Sequence, residues 1–178
     1  MTQYILTNKE MAKADLLTIE SGISSLDLMF NAGKKVFNNL PVKKGKRALF
    51  ICGPGNNGGD GYVAADLILK QGMEIDIYCP ISKAKESNDN LHYKQKLNKS
   101  LFVSKIRSLS NYCYVVDALF GTGLSRTMSN DLSSLVSKIN QSKLDVFSVD
   151  IPSGINGDTS AVLGEAFKAS KTITFFNK

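Results

Sequence analysis

The chain has 178 residues, 43% hydrophobic and 21% charged, which is ample apolar material for the core of one globular domain spanning residues 1–178. Its 22 Lys+Arg against 16 Asp+Glu leave a formal net charge of +6, compatible with a nucleotide or nucleic-acid ligand and proof of neither. No apolar run is long enough to span a bilayer, and M-T-Q-Y-I-L-T-N-K-E-M lacks the regions of a signal peptide, so a cytoplasmic protein without membrane attachment is expected.

In chain order, Thr7-x-x-Glu10 is a capping box and predicts a helix from about Asn8 to Ser21, stopped by Gly22. Ser24 or Ser25 starts a second helix, in which Leu26, Met29, Phe30, Phe37 and Leu40 recur at helical spacing. The basic patch Lys43 to Arg47 reads as a solvated loop, because no aromatic residue interleaves it as a base-stacking surface would require. The chain then alternates: strand 47–52, helix 60–71, strand 73–79, helix about 85–98, strand 112–117, helix about 130–141, strand 145–151 and strand 171–176, with Phe102 to Ile106 as a small extra strand. Strands alternating with helices predict an α/β, Rossmann-like three-layer sandwich, a mostly parallel sheet with helices on both faces. Cys52, Cys79 and Cys113 are scattered among predicted strands and read as core residues, neither a disulfide nor a metal set. His92, the sole histidine, sits in a polar helix and is expected to be exposed, so no histidine triad or histidine metal site can be built.

The densest chemical signal is C-G-P-G-N-N-G-G-D-G-Y from Cys52 to Tyr62, glycines and asparagines between an apolar strand and a helix. Such a turn leaves the first N–H groups of the helix open to an anion. Gly53, Gly55 and Gly58 satisfy G-x-G-x-x-G, but the following strand, M-E-I-D-I-Y-C-P, carries Glu74 and Asp76 inside it where a dinucleotide-dependent dehydrogenase needs an acid at the tip. A Walker loop is excluded, since Gly59-Asp60 stands where Lys-Ser/Thr is required. Two later strands run apolar and end on Asp117 and Asp150. Ligands of such folds bind beyond the carboxyl ends of the strands, so the loops 53–61, 117–127 and 150–158 are predicted to share one crevice.

These three segments resemble the YjeF N-terminal domain family of NAD(P)H-hydrate epimerases, whose signatures are similar to G-x-G-N-N-G-G-D-G, V-D-A-x-x-G-T-G-L and V-D-I-P-S-G, and the likeness runs from T-I-E-S-G-I-S-S-L-D-L-M to K-T-I-T-F-F. The resemblance implies an isomerase that interconverts the R and S forms of hydrated NADH and NADPH by acid–base chemistry at carbon 6 of the nicotinamide ring. A partner or fused NAD(P)H-hydrate dehydratase would then restore the cofactor, and a homodimer is the candidate assembly. By the same resemblance, Asn56, Asn57, Gly58, Gly59 and Asp60 bind the dinucleotide, and Gly121, Thr122, Gly123, Leu124, Ser125, Arg126 and Thr127 form a second phosphate-contacting loop. Asp150 contacts the nicotinamide half and is the expected acid–base group, with Asp117 as the alternative. A potassium ion is expected on Asn57, Asp117 and Ser153, all of which offer oxygen.

The chain departs from the family pattern at Phe30, where relatives carry an acidic residue. It also ends at Lys178, soon after the last predicted strand, so a C-terminally shortened domain is expected, with Lys171 to Phe176 unpaired on one side. An RNA- or protein-binding module of the same fold is the rival reading. Against it stands the retention of N-N-G-G-D and both strand-end aspartates. An NAD-dependent oxidoreductase is weakened by the missing ribose acid.

Overall fold

The computed structural model describes residues 7–81 and 84–175. Two helices, α1 (Asn8–Glu20) and α2 (Ser25–Phe37), precede the sheet. The remainder runs β1 (Arg47–Cys52), α3 (Asn56–Lys70), β2 (Glu74–Tyr78), α4 (Asn88–Gln95), β3 (Phe102–Val103), β4 (Tyr114–Ala118), α5 (Asn130–Asn140), β5 (Asp145–Val149) and β6 (Lys171–Ile173). Local signals set most of these boundaries. Thr7 and Glu10 form the reciprocal capping box, Ser24, Ser87 and Ser129 cap the starts of α2, α4 and α5, and Gly22 and Gly72 stand at positive φ just past the ends of α1 and α3.

The strands form one sheet in the order β3-β2-β1-β4-β5-β6, parallel at every pairing. Alternation along β1 separates two cores. Ala48, Phe50 and Cys52 face α2 and α3 with Val36, Tyr62 and Ile68, whereas Leu49 and Ile51 face α5 with Val136 and Ile139. The three-layer sandwich is therefore as the element order predicted, and the order reverses at β1 and β4, which opens a crevice beyond their carboxyl ends. β6 pairs only with β5 among the described residues. The last residue of the strand predicted there, Phe176, lies outside them.

Two expectations need correction. The helix expected from residue 60 begins at Asn56, because Gly58 and Gly59 fit its first turn against neighbouring elements; tertiary contact outweighs the low helical propensity of glycine. Arg47 closes the basic patch and opens β1, as the strand predicted over 47–52 requires, and it pairs with Glu74 and, at 2.6 Å, with Asp76. Asp76, 2% exposed, also takes bonds from Arg107 at 2.9 Å and the Tyr112 hydroxyl at 2.8 Å, so this acid inside β2 is satisfied internally. The cysteines are free and packed in the core as expected, although Cys79 falls just after β2 and Cys113 just before β4.

Candidate active site

The Gly53–Gly55 turn crosses from β1 to α3 at the crevice. Gly53 lies so close to the loop after β4 that a Cβ there would stand 1.8 Å from the Leu119 carbonyl oxygen, and its N–H is bonded to the Ala118 carbonyl at 3.0 Å. Gly58 and Gly59 both donate to the Gly55 carbonyl, at 3.1 and 3.3 Å. What the turn offers an anion is therefore the N–H groups of Gly55, Asn56 and Asn57, for which no protein acceptor is found among the described residues. Gly58 and Gly59 were expected to contact ligand, and their missing Cβ positions face Gly53 and Asn90, and Met29, respectively. Their absent side chains serve helix packing. Asn56 is exposed and its side chain accepts from the Ser87 hydroxyl at 2.7 Å.

Asp117 and Asp150, both expected at strand ends, occupy different environments. Register decides this. Asp117 is inside β4 opposite Ser148 of β5, whereas Asp150 follows the end of β5. Asp117 is fully buried and accepts from Ser148 Oγ (2.8 Å), Ser153 N (2.8 Å), Ser153 Oγ (2.6 Å) and Leu119 N (3.3 Å). Burial pushes its carboxyl up to about 6 in spite of these donors, which favour the ionised form. Ser153 Oγ also accepts from Phe120 N at 2.8 Å, so Asp117 and Ser153 together fasten the loop after β4 to the loop after β5.

Asp150 is only partly buried and adopts φ 67, a left-handed conformation uncommon outside glycine. Its Oδ2 accepts from Thr122 N at 3.1 Å. A Cβ on Gly121 would lie 2.6 Å from that same oxygen and 3.5 Å from Asn57 Cγ, so the glycine leaves space where the carboxylate and the asparagine amide converge. Neither Oδ1 nor Nδ2 of Asn57 has a hydrogen-bond partner although both are buried. An unsatisfied buried amide is costly, and here it marks a place for a polar ligand. Burial pushes the Asp150 carboxyl above the ordinary carboxylate range, with Asp15 adding to the shift and the Thr122 N–H opposing it. Asp60, 7% exposed at the start of α3, is raised well above that range by burial first, then by Asp150 and Asp15. Asp15 thus acts on both Asp150 and Asp60, Asp150 acts on Asp60, and Asp150 converges with the unpaired Asn57 amide at Gly121. Such shifts accompany proton-transfer chemistry.

On the α5 side of the same loops lies a groove of about 920 Å³, lined by Pro54, Phe120, Leu124, Arg126 and Thr127 and facing Lys105. It is large enough for much of a nucleotide and carries cationic groups suited to phosphate. The loop expected to contact phosphate is therefore divided: Leu124, Arg126 and Thr127 line this groove, whereas Gly121 and Thr122 adjoin Asp150. Gly123 and Ser125 are exposed at the loop's surface. No motif pointed to Ser148, Asp15 or Asn90. Ser148 was hidden because only strand register identifies it as the partner of Asp117, and the N-cap at Ser87 marks a helix start without telling what Asn90 reaches.

Residues 25–177 match the family described as YjeF-related protein N-terminus. An NAD(P)H-hydrate epimerase of Lentilactobacillus buchneri is 36% identical over 98% of this chain and 83% of its own length. That of Oenococcus oeni is 36% identical over 100% of this chain and 88% of its own. A bifunctional NAD(P)H-hydrate repair enzyme Nnr of Thermofilum pendens is 38% identical over 86% of this chain but only 32% of its own length. Among solved structures, the crystal structure of yeast ynu0, YNL200c, superposes with a TM-score of 0.77 at 23% identity, over 96% of this chain and 79% of that one, a likeness of fold.

Proposed function

The chain belongs to the family of YjeF-related protein N-termini, and from that premise we propose that it is an NAD(P)H-hydrate epimerase, an isomerase that interconverts the R and S forms of hydrated NADH and NADPH. The observation that carries this reading is the convergence of Asp150, Asn57 and Gly121 beside the open start of α3. The reaction exchanges configuration at carbon 6 of the nicotinamide ring without oxidation or reduction. Loss of the hydroxyl leaves a cation stabilised by the ring nitrogen, and water then adds to the other face. The leaving oxygen needs a proton and the incoming water must lose one. A single carboxyl can serve both needs in turn, provided burial keeps enough of it protonated near neutral pH. Burial shifts Asp150 in that direction and leaves its carboxyl partly exposed at the crevice, whereas both Asp117 oxygens are occupied by Ser148, Ser153 and Leu119.

The first N–H groups of α3 would hold the pyrophosphate, with Arg126 and Thr127 contacting phosphate from the groove. A potassium ion would be held by side-chain oxygens of Asn57, Asp117 and Ser153; Asn57 Oδ1 is the acceptor without a partner, while Asp117 and Ser153 would share with the ion oxygens already bonded to each other. When bound, the ion supplies positive charge that offsets the repulsion between Asp117 and an anionic dinucleotide. A neighbouring NAD(P)H-hydrate dehydratase would consume the product, an arrangement supported by the bifunctional relative, of which this chain covers 32%. The same functional reading places the protein in the cytoplasm, and among the described residues no helix is long and apolar enough to cross a membrane.

Separated hydrate epimers, followed by chiral chromatography, test the activity directly: each should convert to the same mixture when the protein is added. Persistence of the pure epimers would defeat the reading. Potassium should be visible through Asp117. A carboxyl that titrates near 6 folded and at the ordinary 3.8 unfolded holds its proton more tightly in the folded state, so its contribution is fullest below about pH 4 and is lost as pH rises towards 6. The interval corresponds to a loss of ~3 kcal/mol. Potassium favours the ionised form, so in thermal melts at pH 7 it should recover several degrees that a large organic cation does not. Asp117→Asn should remove both the pH-dependent loss and the preference for potassium. Identical melts in the two salts would count against a cation at these residues.

A further inference from the structure

The Gly53–Gly55 turn is held from below by the first turn of α4. Asn90 is 0% exposed, and its Nδ2 donates to the Gly53 carbonyl at 3.0 Å and to the Gly55 carbonyl at 2.7 Å. The Pro54 carbonyl accepts from Ser87 N at 3.0 Å. Every carbonyl of the turn is thereby drawn towards α4. The orientation of the amide is not arbitrary, because turning it over would set its oxygen against two carbonyl oxygens. Its Oδ1 is left buried without a partner, a cost that accompanies using both amide protons on the turn. The glycine pair makes this approach possible: a Cβ on Gly58 would stand 2.8 Å from Asn90 Nδ2, and one on Gly59 would stand 3.2 Å from Asn90 Cα.

We propose that Asn90 is a positioning residue for dinucleotide binding: its hold on the Gly55 carbonyl keeps the Asn56 N–H of the same peptide facing the pyrophosphate, and its hold on the Gly53 carbonyl, with that of Ser87 N–H on the Pro54 carbonyl, fixes the turn that presents the neighbouring N–H groups of Gly55 and Asn57. This rests on the reading of the turn as the pyrophosphate site. Without Asn90 the Gly53 carbonyl loses its hydrogen bond, and the Gly55 carbonyl keeps only the Gly58 and Gly59 N–H groups at 3.1 and 3.3 Å, so the turn loosens and its donors lose their alignment with the pyrophosphate. The effect falls on binding rather than on the proton transfer, since Asn90 touches neither Asp150 nor its partners.

The test uses wild type, Asn90→Ala and the isosteric Asn90→Asp. ADP serves as a pyrophosphate-bearing probe in calorimetry, and KM and kcat are measured with NADH hydrate epimers. Asn90→Ala should weaken ADP binding and raise KM about tenfold, as expected for the loss of two ordinary hydrogen bonds, with kcat within about twofold of wild type. In Asn90→Asp, the ratio of variant to wild-type affinity should improve as pH falls from 8 to 5, because protonation of the introduced carboxyl restores one donor to the turn. That variant carries the test if the alanine form does not fold. A wild-type ADP affinity and KM in the variants, or a loss in kcat alone, would overturn the assignment. Wild-type protein that binds ADP but leaves the epimers unchanged would remove the epimerase reading and leave Asn90 in place; protein that interconverts them without binding ADP would do the reverse.

Discussion

Replacing Asp150 by asparagine should reduce epimer interconversion by ~10²–10⁴-fold, the usual contribution of a positioned acid–base group, while dinucleotide affinity stays within a few-fold of wild type. Two features of the site make this substitution a clean probe. Asparagine tolerates the left-handed region as readily as aspartate, so φ 67 adds no new strain. Its side-chain oxygen can still accept from the Thr122 N–H now bonded at 3.1 Å, so the loop after β4 keeps its anchor. What disappears is the exchangeable proton on oxygen. Single-turnover rates with separated epimers, set beside calorimetric affinities, decide the matter. Wild-type turnover by the asparagine variant would transfer the acid–base role to another of the interacting carboxyl groups, Asp60 first among them.

The second large effect should come from Gly58→Val. A Cβ at this position would lie 2.0 Å from the Gly53 carbonyl oxygen and 2.8 Å from Asn90 Nδ2. Neither neighbour can yield easily. Gly53 is pressed against Leu119 on its other side, and its carbonyl is bonded to Asn90 at 3.0 Å. Overpacking of this kind costs ~1–3 kcal/mol in ordinary cores, and the backbone contact puts the value at the upper end or above it. Dinucleotide affinity should fall by more than tenfold because the turn that presents the N–H groups is displaced. Gly55→Ala is the control: its Cβ would meet nothing within 4 Å, so only the poorer capping of α3 by alanine remains and stability should fall by no more than about 1 kcal/mol. Urea denaturation combined with ADP titration separates the two variants. Equal behaviour of Gly58→Val and wild type would mean that the first turn of α3 can move as a unit, which the contacts described here forbid.

At Gly58 the sequence motif suggests a contact to the dinucleotide, and the structure adds a requirement the motif does not contain: the Cβ position is filled from inside the protein, between α3, the turn and α4. The aspartates teach a similar lesson. Both were legible as candidate site residues because each closes an apolar run, yet a one-dimensional pattern treats them as equivalent. Parallel pairing sets Asp117 opposite Ser148, two positions short of Asp150, and thereby gives one a sealed hydrogen-bonded environment and the other an edge on the crevice.

The sequence by itself determined the alternation of strands and helices, the helix starts at Thr7 and Ser24, the turns at Gly22 and Gly72, and the family to which the three loops point. These features depend on residues close together in the chain, where periodicity, capping and glycine conformation act over a few positions. Only the tertiary structure decided the start of α3 at Asn56, the burial of Asp117, the unpaired amide of Asn57 and the hold of Asn90 on the Gly53–Gly55 turn. Each of these results from groups that are distant in sequence and brought within bonding or packing distance by strand order and helix placement. Their energies arise only when the sheet and its covering helices are assembled.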